Sequence, residues 1–365
     1  MTFLSPMALL ALPFLISVVL VLVLGNPIIG WLADRKARQP VSEDAPQTHQ
    51  LKHGTPTMGG LIIIAGVVVS VLVVVVATGA MGGALLTQAR MRLFAVLGVF
   101  LFAGLVGLAD DLGKARKKLN KAGLSERVKL ALQIIVSVGF VGALWRVSYL
   151  ETNLITTGLT IAGRTFDLGF IYYILGALYL CGFGNAVNFT DGLDGLSSGT
   201  TLITTLALAV SLLFSLAVLP PEMVIFYGAL AGGCAGFLWF NAHPARVFMG
   251  DTGSLAIGMG LAAAALAAKQ EILLIIVGAV YIAEIASMMI QRYVFKYRRI
   301  RHGIEYAKAN RVFRRAPLHH HFEELGVPET QVVVRFWVAA LIAAAVGLLL
   351  APFFSPLIVR SASGL

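Results

Sequence analysis

The chain has 365 residues, of which 58% are hydrophobic and only 13% charged, with a mean hydropathy of +0.86. Soluble domains carry roughly 25% charged residues, so composition excludes an ordinary soluble protein and identifies an integral membrane protein. The formal net charge of +10 would suggest nucleic acid for a soluble chain; here membrane topology accounts for it, and no nucleic-acid partner is expected.

A spanning helix needs about 20 apolar residues. Ten segments qualify: 7–32, 57–79, 92–109, 128–146, 169–187, 197–218, 222–241, 252–268, 271–292 and 332–354. They are long runs rich in Leu, Ala and Gly, whereas barrel strands would alternate over short segments. The expected fold is an all-α integral membrane protein of about ten transmembrane helices, a single domain over 1–365. No cation precedes the first segment, and Arg35, Lys36 and Arg38 follow it, which argues against a signal peptide and for an outside N-terminus. With that orientation, only Arg90, Arg92, Arg146, Arg164, Lys269 and Arg360 of the 28 Lys and Arg lie outside. The positive-inside rule then supports ten helices with both termini periplasmic.

The outer connections are short, except 147–168, whose Thr and Ile content around a Gly suggests a small hairpin. Cys181 and Cys234 lie in apolar segments with no metal-ligand spacing, so both are expected in the core. The cytoplasmic connections, 33–56, 110–127, 188–196, 242–251 and 293–331, hold nearly all the polarity, and loops on a rigid scaffold usually carry function. They open on one face, so their residues can converge on one site.

In chain order, "HQLKHGTPTMGG" (49–60) puts Lys52 before a Gly-Thr-Pro-Thr turn with some likeness to a phosphate cradle, though it is not a Walker A sequence. Asp110 and Asp111 are expected to close the third helix. Neighbours on a helix diverge by about 100°, and anions at a helix C-terminus oppose the macrodipole. Either Lys114 pairs them at the water boundary, or they serve a site that needs negative charge, such as a magnesium site. "NAVNFTDGLDGL" (185–196) repeats Asn185, Asn188, Asp191 and Asp194 every three residues, placing them along one side of a helix or helix end. In "RVFMGDTGSLAIG" (246–258), Asp251 precedes a helix start that Thr252 or Ser254 is placed to cap. It reads either as a cap or as a third acid facing the same pocket, where hard oxygen ligands suit magnesium. Glu284 is a lone acid inside the ninth segment, open between structural pairing and function. In "RRAPLHHHFEE" (314–324), His319, His320 and His321 point different ways if helical, which argues against a three-His zinc site. With Arg314 and Arg315 beside them they suit phosphate contacts and proton handling.

Together "LADDLGK", "NAVNFTDGLDGL", "FMGDTGSLAIG", "GTPTMGG" and "APLHHHFE" resemble the polyprenyl-phosphate N-acetylhexosamine-1-phosphate transferases, a likeness running from Lys52 to Glu323 with no departure at a motif position. The resemblance implies a magnesium-dependent phosphoglycosyl transferase of the bacterial inner membrane, with its active site facing the cytoplasm. UDP-N-acetylmuramoyl-pentapeptide and undecaprenyl phosphate would give lipid I and UMP in peptidoglycan synthesis, the basis of cell shape and division. The alternative is a sibling that transfers N-acetylglucosamine 1-phosphate. A transporter is disfavoured because the acids cluster at one boundary rather than at the midplane. On this resemblance Asp251 ligates Mg2+ with Asp110 or Asp111 near it, and Asp110 activates the lipid phosphate. Asn185, Asn188, Asp191 and Asp194 line the nucleotide pocket, with Asp194 accepting from the uracil NH and Phe248 stacking on its ring. Lys52, Lys114, Lys129 and His319–His321 meet phosphates. A Gly- and Ala-rich eighth segment permits close helix packing, a homodimer included, but names no partner.

Overall fold

The computed structural model describes residues 5–35, 54–80, 87–117, 123–151, 157–162, 164–214 and 220–354. The helices are α1 Pro6–Asp34, α2 Gly60–Ala80, α3 Thr87–Lys117, α4 Glu126–Glu151, α5 Phe170–Thr190, α6 Leu196–Phe214 and α7 Pro221–Asn241. They continue as α8 Gly250–Ala267, α9 Glu271–Val277, α10 Ala279–His302, α11 Ile304–Ala309, α12 Leu318–Glu324 and α13 Glu329–Phe354. Among the described residues nine helices are long and apolar enough to cross a membrane, or ten if the bent pair α9–α10 makes one span. The expected all-α polytopic architecture is therefore the observed one. Long apolar stretches become helices because a bilayer offers no water to the backbone, and a helix satisfies its own amides.

Two boundaries differ from the sequence reading. The third helix does not end at Asp110; it runs on to Lys117, because both carboxylates find donors inside the protein. The ninth segment is not one span over 271–292. It breaks at Gly278 with a 78° bend, and its second half runs to His302. The expected hairpin forms within the outer connection: β1 Gly158–Ile161 pairs antiparallel with β2 Arg164–Asp167, Gly158 opposite Asp167 and Ile161 opposite Arg164. Cys181 and Cys234 are buried and free, as expected of core residues.

The bundle is organised around α8, whose residues Thr252–Leu266 are all buried. It packs against α3 and α5, while α7 is enclosed by α1, α2 and α6. Small residues let these helices meet at backbone distance, the usual basis of packing where lipid removes the hydrophobic drive between helices. A Cβ on Gly107 of α3 would lie 2.0 Å from the Asp251 carbonyl oxygen, and one on Gly60 of α2 would lie 2.1 Å from the Gly253 nitrogen. These two contacts hold the first turn of α8 between α2 and α3.

Gly107→Ala is expected to destabilise the folded protein by about 1–3 kcal/mol through overpacking. Gly98→Ala on the same helix, where nothing lies within 4 Å of the added carbon, is expected to leave stability unchanged. The thermal midpoint of detergent-purified protein, followed by size-exclusion recovery after heating, checks both.

Candidate active site

The site forms where α3, α4, α5 and α8 meet. The two adjacent aspartates of α3 face different partners. Asp111 reaches the start of α8: the Asp251 N–H donates to its Oδ1 at 3.2 Å, and the Thr252 N–H and hydroxyl donate to its Oδ2 at 2.9 and 2.7 Å. The N-cap position of α8, Met249, makes no side-chain cap bond, so a carboxylate from another helix caps α8. That is the favourable sign for the positive end of the macrodipole. Neither Thr252 nor Ser254 supplies the cap, as the sequence suggested; the Thr252 hydroxyl joins Asp111, and the Ser254 hydroxyl donates to the Gly250 carbonyl.

Asp110 is fully buried. Its Oδ1 accepts the Leu124 N–H at 2.7 Å, which fixes the chain as it enters α4. Its Oδ2 lies 2.6 Å from Lys114 Nζ and 3.3 Å from Lys129 Nζ. The same two ammonium groups reach Asp251 Oδ2, at 3.3 and 3.0 Å. Asn188 of α5 completes the cluster, donating to Asp251 Oδ1 at 2.9 Å. Lys114 and Lys129, expected to meet phosphates, are thus held in place by two carboxylates.

Asp110, Asp111 and Asp251 each bring a carboxylate oxygen within 4.8 Å of the others. Three carboxylates against two ammonium groups leave net negative charge, and the donors are hard oxygens. Both properties fit magnesium, which favours one or two carboxylates plus substrate phosphates and waters. With both Asp111 oxygens engaged by α8, Asp251 and Asp110 are the carboxylates with bonds to exchange.

The period-three row of "NAVNFTDGLDGL" does not converge on one face, because α5 ends at Thr190. Asn185 turns to α4, donating to Gln133 Oε1 at 2.8 Å and to the Cys181 carbonyl; it braces two helices and is not part of the acidic cluster. Asp191 sits beyond the helix end. The protein packed around it strips water from the carboxyl and holds it well above the usual carboxylate range, with like charge from Asp251, Asp111 and Asp194 adding to the shift and the Gly250 N–H opposing it.

Asp194 turns to the 242–249 connection. Its Oδ2 accepts from the Ala245 N–H at 3.1 Å and lies 3.0 Å from His243 Nδ1, while its own N–H donates to Glu329 Oε1 at 2.9 Å. Asn241 performs a parallel task, accepting from the Gly195 N–H and Ser198 and donating to the Val247 carbonyl. Asp194 and Asn241 therefore tie the turn after α5 to the loop before α8. His243, Glu329 and Asn241 were not singled out in the sequence; the one signal that could have found Glu329 is an acid just before the tenth apolar run, which marks a helix start.

That loop carries Phe248, half-buried beside the cluster. Its N–H donates to the Pro56 carbonyl at 2.9 Å, and its carbonyl accepts the Gly59 N–H at 2.8 Å. The Gly60 N–H goes to the Met249 carbonyl. The "GTPTMGG" turn is thus a backbone clasp on the α8 loop, and the amides of Gly59 and Gly60 are not free to cradle a phosphate. Lys52 lies outside the described residues.

The three histidines diverge, as three neighbours on a helix must. His319 is fully buried: its Nδ1 lies 2.9 Å from Glu284 Oε2, and its N–H donates to Glu284 Oε1 at 3.2 Å. Glu284 thus acts as the structural partner of a histidine. With Nδ1–H held by that carboxylate, Nε2 points the other way. It has no hydrogen-bond partner and lies 2.2 Å from where a Cβ on Gly192 would be. A buried imidazole nitrogen without a partner, beside the residue after Asp191, is the feature of this run that calls for a ligand. His320 Nδ1 meets Glu323 Oε2 at 2.7 Å, and His321 Nδ1 accepts the Arg314 N–H at 3.1 Å.

Burial pushes His320 down to about 4 despite the opposing pull of Glu323, so it is neutral at pH 7. An unfolded histidine titrates near 6.5; between the two values the unfolded chain binds a proton that the folded chain does not. The contribution of His320 to stability is therefore complete above pH 6.5 and lost as pH falls toward 4. His320→Gln is expected to flatten the decline of the thermal midpoint between pH 6.5 and 4, read by melting the purified protein at a series of pH values.

The sequence model described as Glycosyl transferase family 4 matches residues 93–269, from α3 to the end of α8, and phospho-N-acetylmuramoyl-pentapeptide-transferase signature 1 matches residues 52–64. The phospho-N-acetylmuramoyl-pentapeptide-transferase of Gemmatimonas aurantiaca is 42% identical over 92% of this chain and 91% of its own. The proteins of the same name from Bacillus pumilus and Moorella thermoacetica are 41% and 39% identical, covering 92% and 93% of this chain and 94% and 97% of theirs. With that likeness extending over nearly the whole chain, the carboxylate cluster at the α3–α8 crossing included, the chain belongs to the phospho-N-acetylmuramoyl-pentapeptide transferase family.

Proposed function

We propose that the chain transfers phospho-N-acetylmuramoyl-pentapeptide from UDP-N-acetylmuramoyl-pentapeptide to undecaprenyl phosphate, giving lipid I and UMP, at the inner face of the bacterial plasma membrane. The single observation that carries the site assignment is the bridging of Asp110 and Asp251 by Lys114 and Lys129, next to the capped start of α8. A reaction between two phosphates must gather and neutralise negative charge. A carboxylate–lysine cluster at the end of membrane-spanning helices answers that need where a water-borne pyrophosphate meets a lipid phosphate. An excess of Lys and Arg on that side helps capture the anionic nucleotide.

Chemically, an oxygen of the lipid phosphate attacks the phosphorus that carries the sugar. A new phosphorus–oxygen bond forms, the bond to the bridging oxygen breaks, and UMP leaves with that electron pair. A phosphate monoester has a second pKa near 6, so the attacking group is largely a dianion at pH 7 and needs no base. Asp110, enclosed and paired with two lysines, is assigned to hold those lysines at the reacting phosphates. Asp251 and Asp110 would hold the metal; magnesium bound there supplies positive charge for the pyrophosphate and the departing UMP. Asp111 sets the position of Asp251 through the α8 backbone. His319, oriented by Glu284 through Nδ1, presents Nε2 toward the Gly192 turn. Asp194 is assigned to hold the loop that positions Phe248 for stacking on uracil.

The decisive assay measures UMP release from purified protein, undecaprenyl phosphate, magnesium and either UDP-N-acetylmuramoyl-pentapeptide or UDP-N-acetylglucosamine. Release from the first is expected; release from the second alone would assign the chain to the sibling reaction. Asp251→Asn is expected to lower turnover by at least about 100-fold, as loss of a major electrostatic element does, and to raise the magnesium concentration needed for half-maximal rate. Nucleotide substrate without lipid is expected to yield no UMP burst. A stoichiometric burst with a phosphosugar on Asp110 would replace direct attack with a covalent route.

A further inference from the structure

Away from the carboxylate cluster, α10, α12 and α13 enclose a cavity of about 410 Å³. Its walls are Val280 and Ala283 of α10, Leu318 and Phe322 of α12, and Phe336 and Ala339 of α13, with Arg335 among them. The volume is in the range of ligand pockets, and the lining is apolar apart from that one cation. The span α13 exposes Val334, Val338, Leu341 and Ile342 on its outer surface, so this side of the bundle faces lipid.

The depth of Arg335 sets the kind of lipid. Glu329, at the first turn of α13, bonds the Asp194 amide, so this end of the helix lies at the face of the acidic cluster. Arg335 is six residues further in, about 9 Å along the axis, within reach of the headgroup region. It is exposed and makes no hydrogen bond or ion pair among the described residues. A guanidinium on a lipid-facing helix is costly without a partner, and its planar fork suits a phosphate oxygen pair. Basic pockets between membrane helices bind anionic headgroups on this principle.

We propose that this groove binds an anionic phospholipid, one acyl chain lying between α10, α12 and α13 and the phosphate on Arg335. Leu318 and Phe322 belong to α12, the helix that also carries the buried His319, so the bound chain packs against that helix. This site is separate from the transfer reaction, and its test needs no turnover.

Full-length protein is reconstituted in vesicles of equal phosphatidylcholine and phosphatidylglycerol and extracted in mild detergent, and the co-purifying lipids are quantified by mass spectrometry. Wild type is expected to retain phosphatidylglycerol over phosphatidylcholine. Arg335→Gln, a surface change, is expected to weaken that preference roughly ten-fold, the loss of one charge-assisted phosphate contact. Ala339→Phe, which fills the groove, is expected to lose both lipids. Added phosphatidylglycerol is expected to raise the thermal midpoint of wild type but not of Arg335→Gln. Equal retention of the two lipids by wild type, or an unchanged preference in Arg335→Gln, would overturn the proposal. Displacement of phosphatidylglycerol by an equal amount of undecaprenyl phosphate would also overturn it, assigning the groove to the lipid substrate.

Discussion

The arrangement of the site depends on one interaction, the capping of α8 by Asp111. The first turn of a helix leaves amides without intrahelical acceptors, and here those amides are buried between α2 and α3. An apolar bundle offers them no water. A carboxylate from α3 meets the Asp251 and Thr252 amides and the Thr252 hydroxyl together, and in doing so sets the height and rotation of α8 against α3. Asp251, next in the chain to the sharp turn at Gly250, is delivered to Lys114, Lys129 and Asn188 by the same contact. The two neighbouring aspartates thus divide structure and chemistry: one builds the floor and the other holds the lysines.

The electrostatics follow from that placement. Carboxylates gathered in a low-dielectric bundle repel strongly, and the fold answers with two ammonium groups from two helices, each shared between Asp110 and Asp251, and with the Asn188 amide on Asp251. Such a cluster has net negative charge, yet carries two cations at its centre. The loops around it are tied by polar contacts: Asn241 and Asp194 join the turn after α5 to the loop before α8, and the Pro56–Gly60 clasp holds that loop from the other side. The break at Gly278 serves the same end, because the bent α10 brings Glu284 to His319.

Much of this was legible in the sequence, for a physical reason: bilayers impose a local code. Length, hydropathy and the one-sided distribution of Lys and Arg predicted about ten helices, since each span must satisfy its own backbone wherever its neighbours lie, and the Thr and Ile content around a Gly predicted the hairpin. The motif residues Asp110, Asp111, Asn188, Asp191 and Asp251 were also visible as polarity that an apolar chain would not carry without use. Reading the direction of each side chain was less successful. Asn185 follows the same period as Asn188 but faces Gln133, because α4 packs on that side of α5. The row ends at Asp191, because a helix face has meaning only while the helix continues.

The sequence by itself determined the class of molecule, the number of spans and the identity of the residues that gather at one boundary, because burial in lipid and charge near its edge are properties of each segment alone. Only the tertiary structure decided what those residues do: that Asp111 caps a neighbouring helix, that Asp110 and Asp251 share two lysines, that Glu284 orients His319 and that Arg335 stands beside an apolar groove. Each of these is a contact between segments distant in the chain, set by how closely glycine-bearing helices approach and by which donors remain without water once they do.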